Sequence, residues 1–492
     1  MFKKILIANR GEIAVRIERT CREMGIQTVA LHEAVDRGSL HVRLADECVP
    51  LESPRGFMDA DAILRIARAK GAEAIHPGYG FLAEDPDFSR ACDAAGIVFI
   101  GPPTAVMDVL RNKIDVMARA RTIGCPTVES APFPMDDGQL DALRAAANRL
   151  GYPVIIKSYR GGRGRGQRLV ETPARLEEEL RQSQDEAQAV FGNRRVYLEK
   201  AILPAYEVVV QVLADRHRHL ICLGERAGVL QHGNQRIIAE SPASGLTPEQ
   251  RERLCSMALE LARLVDYQGV GAVEFLVDEA GQFYFTEIKP RIQVEHPLSE
   301  MVTRVDLVRE QIRIAAGEPL ALEQGDVQQR GCAMMCRINA EDPWNRFLPS
   351  PGVLRQVRLP GGPEVRVDTY VYSHCSVPGQ YDPLIAKVLA WGADREQCEQ
   401  RLRRALRDMQ LVGTPTTLPL LQRVLHATDF TPDIYSAEFL MQPFDDKNEA
   451  DLHRRNLAAA AAVYYVRRNQ LFRPSVPPRL MSGWHRETRR LS

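Results

Sequence analysis

The chain reads as several α/β and α+β domains, on three observations. Residues 3–32 show a strand–helix–strand pattern. Residues 271–288 read as a two-stranded antiparallel hairpin. The 492 residues exceed what a single hydrophobic core usually serves. In chain order, KKILIAN (3–9) is an apolar run short enough for a buried strand. Arg10–Met24 has helical periodicity, and Gln27–His32 is a second strand. Strand–helix–strand at this spacing signals a doubly wound parallel sheet, continued by AEAIHPG and by GIVFIGPP near 95–103. A helix is expected from Val106 to about Ile123. Residues 125–205 hold YPVIIK, a glycine-rich turn, LVE, a charged helix (174–190) and RVYLEK, which together make a small α/β lid. After Gln328 come CRINA, VLRQVRLP, EVRVDTYV and DPLIAKVLAWG, then a helix from Arg395 to Met409. There are no internal repeats.

Bulk properties exclude several classes. Hydrophobic content of 45%, charged content of 26% and zero net charge are ordinary for a globular protein and argue against nucleic-acid or anionic-membrane partners. No apolar run approaches the roughly 20 residues of a membrane helix. MFKKILIANRGE begins like a signal peptide but lacks a long apolar core and a small-residue cleavage site. The ten cysteines form no CxxC pair; Cys332 and Cys336 are the closest. That argues against zinc and against a disulfide framework, and it fits a reducing cytoplasm.

The stretch TEIKPRIQVEHP (286–297) is the most informative. Folding GAVEFLVD (271–278) against FYFTEI (283–288) sets Glu274 opposite Glu287. Side chains alternate along a strand, so Lys289 shares their face. Directly opposed carboxylates repel. Such a pair persists where a cation lies between them, such as magnesium, which takes carboxylate oxygens together with substrate phosphates. The alternative is a solvated edge hairpin, but VEFLV and FYF read as buried. Lys157 ends the buried strand PVIIK just before Ser158–Gly166. Gly161, Gly162 and Gly164 in that loop would let backbone N–H groups cradle phosphate.

With these residues in hand, the chain resembles biotin carboxylase, the ATP-grasp subunit of biotin-dependent acyl-CoA carboxylases, from Met1 to about Phe439. The likeness lies in ILIANRGEIAVRI (5–17), HPGYGFLAE (76–84), GYPVIIK (151–157), VQVLAD (210–215), LGER (223–226), the run 291–320, CRINAEDP (336–343), FLPSPG (347–352) and YDPLIAK (381–387). It implies an ATP-grasp fold with a pre-ATP-grasp domain at 1–112, an ATP-grasp domain at 113–328 (lid about 125–205) and a C-terminal domain at 329–445. A basic tail follows at 446–492. It also implies ATP, magnesium and carrier-borne biotin as cofactors and substrates. In the family, bicarbonate attacks the γ-phosphate, the carboxyphosphate formed releases carbon dioxide, and biotin captures it.

Residue by residue, the resemblance makes Lys113 and Lys157 phosphate contacts. Glu199, Lys200 and Ile202 match the linker at the adenine edge. Gln231 and Asn234 lie near the nucleotide, and Leu276 and Ile434 sandwich the base. Glu295 matches the base that deprotonates bicarbonate. Arg291, Gln293, Val294 and Arg236 hold that anion. Arg337 stabilises the biotin enolate, and Tyr79 lies beside biotin. Glu274, Glu287 and position 289 surround the metal. The chain departs from the family at several of these positions. Lys289 stands where the family has an asparagine, Arg236 where it has a lysine, and Glu207 and Asn234 where it has histidines. Arg160 and Arg163 interrupt a continuous glycine run. Lys289 is therefore expected to pair with the two glutamates and weaken magnesium binding, and carboxylation of free biotin is expected to be weak or absent. The tail carries Arg467, Arg468, Arg473, Arg479, Arg486, Arg489 and Arg490 after LAAAAAVYYV, with Glu487 the lone acid. It reads as a disordered segment or a docking segment. No AMKM-like motif is present, so biotin would come on a separate carrier protein or with other carboxylase subunits. A homodimer is implied. Two readings stand: an active ligase, and a degenerate homologue that binds nucleotide or a carboxylase partner.

Overall fold

A computed structural model of the chain describes residues 1–131, 139–159, 167–232, 235–426, 457–459 and 461. Two compact units are distinguished, 1–437 and 438–492. In the second, Leu457–Ala459 and Ala461 are helical. The rest of the basic tail, Ile434 and the loop with Arg160, Gly161, Gly162, Arg163 and Gly164 lie outside the described residues, as does Asn234.

The N-terminal sheet has five parallel strands, in the order Glu47–Pro50, Gln27–His32, Lys4–Ile7, Ala74–His76, Val98–Phe99. The order reverses between Lys4–Ile7 and Ala74–His76, and such a switch point opens a crevice at the strands' carboxyl ends. Asn9 spans it: its Nδ2 donates to the Pro77 and Tyr79 carbonyls at 2.7 and 2.8 Å. Tyr79 is thereby fixed at the crevice, its hydroxyl buried without a protein partner.

An eight-stranded antiparallel sheet carries the rest. Its order is Phe283–Lys289, Gly269–Asp278, Ala205–Ala214, Leu220–His232, Gln235–Ser241, Cys332–Asn339, Leu384–Gly392, Val365–Thr369. The strands before and after residue 328 are continuous through the pairing of Gln235–Ser241 with Cys332–Asn339. Sequence order alone does not reveal that shared sheet. The lid is a three-stranded sheet, Arg168–Val170, Val154–Ser158 and Val196–Lys200, with helices Leu140–Leu150 and Leu176–Phe191. It has its own core around Leu143, Ala147, Val154, Ile156, Leu180 and Leu198.

Two expectations need correction. The helix expected over 106–123 is two helices, Thr104–Arg111 and Lys113–Thr122. Asn112 breaks them, and its side chain accepts from the Asp115 N–H as an N-cap. The break starts the second helix at Lys113. The cysteines also include a disulfide, Cys222–Cys255, with Cα atoms 6.0 Å apart. Packing of helix Pro248–Leu264 on strand Leu220–His232 brings the two together, a proximity that spacing does not encode. The other eight are free.

The first helix, Gly11–Glu23, buries Glu18 to 2% exposure with neither carboxylate oxygen hydrogen-bonded. Burial pushes this carboxyl up, to about 9. The folded chain then keeps a proton that the unfolded chain has lost, from the ordinary carboxylate range up to about 9. Stability attributable to Glu18 is therefore intact at low pH and falls as pH rises through that window, by at most about 1.4 kcal/mol per pH unit. Glu18→Gln, which matches the protonated acid in shape, should melt like wild type at pH 5 and several degrees higher at pH 8. Equal melting temperatures at both pH values would contradict this.

Candidate active site

One face of the large sheet gathers the charged residues. Glu274 pairs with Glu287, and Ala272 with Lys289. Glu274 pairs with Val209 on its other side, Leu276 with Glu207, and Arg226 with Val209. Residues directly opposed on adjacent strands share a face. Glu207, Arg226, Glu274, Leu276, Glu287 and Lys289 therefore all point the same way.

Glu287 is held between two ammoniums. Lys289 Nζ lies 2.7 Å from Oε1, and Lys113 Nζ 3.0 Å from Oε2. Burial alone would raise this carboxyl, but the two lysines hold it well below the usual range. Lys289 itself is 8% exposed. Burial would lower its pKa, but Glu287, Glu274 and Glu84 outweigh that and raise it. The expected pairing of Lys289 with both glutamates needs correction: its ammonium pairs with Glu287, and Glu274 Oε1 instead accepts from Gln293 Nε2 at 2.6 Å and from Arg236 Nη2 at 3.3 Å, which the turn and a farther strand bring within reach. Burial, with Glu207 adding repulsion, pushes Glu274 up to about 8.

The turn after the hairpin delivers Glu295, and its partners come from strands Gln235–Ser241 and Cys332–Asn339. Glu295 is 2% exposed and precedes helix His296–Thr303. It accepts from Arg337 and lies 3.4 Å from Arg236 Nη1. Burial alone would raise its pKa, but Arg337, Arg236 and Arg226 hold it well below the carboxylate range. Arg236 forks onto Glu207, with Nη2 on Oε1 and Nε 3.2 Å from Oε2. Gly228 leaves room for this: a Cβ there would meet Gln231 Nε2 at 2.9 Å and Arg236 Cγ at 3.1 Å. Lys387, fully buried and ion-paired to Glu12 at 3.0 Å, donates to the Val294 carbonyl at 3.3 Å. This anchors the turn.

Several expected site residues have additional partners. Arg291 Nε donates to Glu84 at 2.5 Å and Nη1 to the Ile292 carbonyl. Burial would raise Glu84, but the Arg291 guanidinium holds it down, at about 2. Lys157 Nζ lies 2.5 Å from Glu199 Oε2. Burial would lower the Lys157 pKa, yet Glu199, with Glu287 and Glu207, raises it. The lid lysine thus shares the field of the hairpin. Lys200 extends to the Gly151 and Tyr152 carbonyls at 2.7 and 3.3 Å, so its side chain braces the lid sheet. Ile202 follows it, half-buried; Gln231 pairs in register with Arg236.

Three partners were not assigned a role from sequence: Glu84, Glu207 and Arg226. Glu84 lies inside HPGYGFLAE and Arg226 ends LGER. Only the buried setting of that arginine could have flagged it. Arg226 Nη1 donates to Gln211 Oε1 at 2.9 Å and Ser299 Oγ at 3.0 Å, and Nη2 to Gln293 Oε1. Burial lowers its pKa, to about 10. It is the fixed centre on which Gln293 turns toward Glu274.

Carboxylate oxygens are the ligands a hard divalent cation takes. Glu274 fits such an ion beside a nucleotide's phosphates, whereas both oxygens of Glu287 already face ammoniums. Removing Arg226 would leave three buried neutral partners, Gln211, Ser299 and Gln293, short of a donor. Arg226→Met should destabilise the chain by about 3 kcal/mol, about 1 kcal/mol for each partner left unsatisfied, read as a lowered midpoint of chemical denaturation. A shift under about 1 kcal/mol would contradict this role.

Three domain families match the chain. The N-terminal domain of biotin carboxylase spans residues 1–107. The ATP-binding domain of the carbamoyl-phosphate synthase L chain spans 112–323. The biotin carboxylase C-terminal domain spans 335–442. The chain is 44% identical over 444 residues to the biotin carboxylase of Nostoc sp., covering 90% of this chain and 99% of that one. It is 42% identical over 447 residues to biotin carboxylase 1 of Bacillus subtilis, covering 89% and 98%. Among solved structures, the biotin carboxylase domain dimer of Hydrogenobacter thermophilus 2-oxoglutarate carboxylase, in complex with MgADP, ADP and bicarbonate, aligns with a TM-score of 0.87. The identity is 40%, covering 90% of this chain and 97% of that chain. Biotin carboxylase from Campylobacter jejuni aligns with a TM-score of 0.86 at 35% identity, covering 90% and 99%. The chain belongs to the biotin carboxylase family.

Proposed function

We propose that this chain is an ATP-dependent ligase that carboxylates biotin on a separate carrier protein. The observation that carries the reading is Glu295, a buried carboxylate kept ionised by Arg337 and Arg236 in the turn that follows the acidic hairpin. A bicarbonate oxygen attacks the γ-phosphorus, ADP leaves, and carboxyphosphate forms. Carboxyphosphate breaks at its C–O bond into carbon dioxide and phosphate, the phosphate takes the proton of the biotin ureido N–H, and that nitrogen attacks the carbon dioxide. Glu274 would hold magnesium, which would supply neutralisation of phosphate charge.

The chain's own residues set the order of events. Glu295 is a weak base while two guanidiniums face it. An arriving bicarbonate anion competes for Arg236, Arg291 and Arg337. Glu295 then loses counter-charge and gains proton affinity where the proton must be taken. Lys157 lies against Glu199. Phosphates draw it away and release Glu199 toward the adenine edge, with Lys200 and Ile202 supplying backbone groups. Lys113, on Glu287, meets the phosphates from the hairpin side. Tyr79, at the switch-point crevice, and Arg337 lie toward biotin, Arg337 stabilising its enolate.

The same reading assigns residues 1–112, 113–328 and 329–445 to three domains, supported by the matched spans. It includes a homodimer, supported by the dimer of the Hydrogenobacter relative, and a biotin carrier protein or other carboxylase subunits as partners. It places the reaction in the cytoplasm, a reading that the eight free cysteines support and the Cys222–Cys255 bond does not. Among the described residues no helix is long and apolar enough to cross a membrane. The relatives favour the ligase over a degenerate homologue.

Phosphate release from ATP should depend on bicarbonate and rise with a biotinylated carrier. Glu295→Gln should lower it about 10²–10⁴-fold with nucleotide affinity kept. Lys157→Ala should weaken ADP binding about 10–100-fold. Bicarbonate-independent ATP hydrolysis, unchanged in Glu295→Gln, would refute the reading.

A further inference from the structure

The acidic hairpin carries two carboxylates opposed on one rung, Glu274 and Glu287. That opposition is unfavourable, and the chain supplies a cation from the same strand. Lys289 lies two residues beyond Glu287, on the same face, with its Nζ 2.7 Å from Oε1. Lys113 takes the other oxygen at 3.0 Å. Pro290 follows Lys289 and favours an extended backbone there, which keeps its side chain on the rung's face. Lys289 is 8% exposed, so its ammonium has little water to escape into. Glu274 is answered differently, by Gln293 at 2.6 Å and Arg236 at 3.3 Å.

We propose that Lys289 is a built-in cation of the nucleotide site: its ammonium stands in for a divalent ion that would otherwise bridge Glu274 and Glu287. The site then takes one divalent ion, through Glu274 and the nucleotide's phosphates. The bridging position is filled by the chain itself, and metal binds poorly before nucleotide arrives. This deepens the ligase reading and rests on it for the nucleotide alone.

The test is a titration of the full chain with Mn2+, following the free-ion signal by electron paramagnetic resonance, without nucleotide and with saturating ADP. Wild type should take one Mn2+ with ADP. Lys289→Asn and Lys289→Met both remove the ammonium, and both should bind Mn2+ at least about tenfold more tightly than wild type in the absence of nucleotide. Lys289→Asn, which adds an amide oxygen, should be the tighter and should take a second ion with ADP. Two ions bound to wild type with ADP would overturn the proposal. So would variants that bind no more tightly than wild type. The wild-type stoichiometry decides the matter even if a variant fails to fold. A wild-type chain that binds no ADP would remove the nucleotide reading, while the nucleotide-free titration still decides the role of Lys289.

Discussion

Glu274 and Glu287 face each other across one antiparallel rung, and the rest of the site is arranged around that repulsion. Each carboxylate draws its own set of partners. Glu287 takes Lys289 from its strand and Lys113 from the start of a helix. Glu274 takes Gln293 from the turn after the hairpin and Arg236 from strand Gln235–Ser241, farther along the same sheet. Gln293 is itself held by Arg226, and Arg236 lies within ion-pair distance of both Glu274 and Glu295, so the turn that carries Glu295 is tied to the hairpin through Gln293 and through Arg236. The turn that carries Glu295 and the acidic hairpin are therefore coupled.

The same constraint explains why so many cations converge. Glu84, Glu207, Glu287 and Glu295 each lie within ion-pair distance of a lysine or arginine. Buried charges are tolerated only when paired and hydrogen-bonded. Glu207 and Lys289 act on Glu274 in opposite directions, Glu207 raising its pKa and Lys289 lowering it. Glu207 holds the fork of Arg236, whose other nitrogen lies 3.4 Å from Glu295.

Much of this was legible in the sequence because it is local. Hairpin register follows from folding GAVEFLVD on FYFTEI, and strand Gln27–His32 and helix Arg395–Asp408 follow from periodicity. What was not legible is long-range. The break at Asn112 depends on a capping side chain inside a pattern that otherwise reads as one helix. The Cys222–Cys255 bond, the Arg291–Glu84 pair 207 residues apart and the sheet shared across residue 328 depend on which elements pack together. Lys200 lies where the linker was expected, but its side chain turns to the lid backbone, since two carbonyls lie within reach of its ammonium.

The central claim is that this site joins bicarbonate to the γ-phosphate of ATP. Turnover of ATP with 18O-labelled bicarbonate tests it most directly, with the phosphate product read by 31P NMR. Attack by a bicarbonate oxygen on phosphorus leaves that oxygen on phosphate when carboxyphosphate breaks down. The account predicts about one labelled oxygen per phosphate released, by the stoichiometry of in-line displacement. Phosphate released without label would mean that water is the nucleophile, and would contradict it.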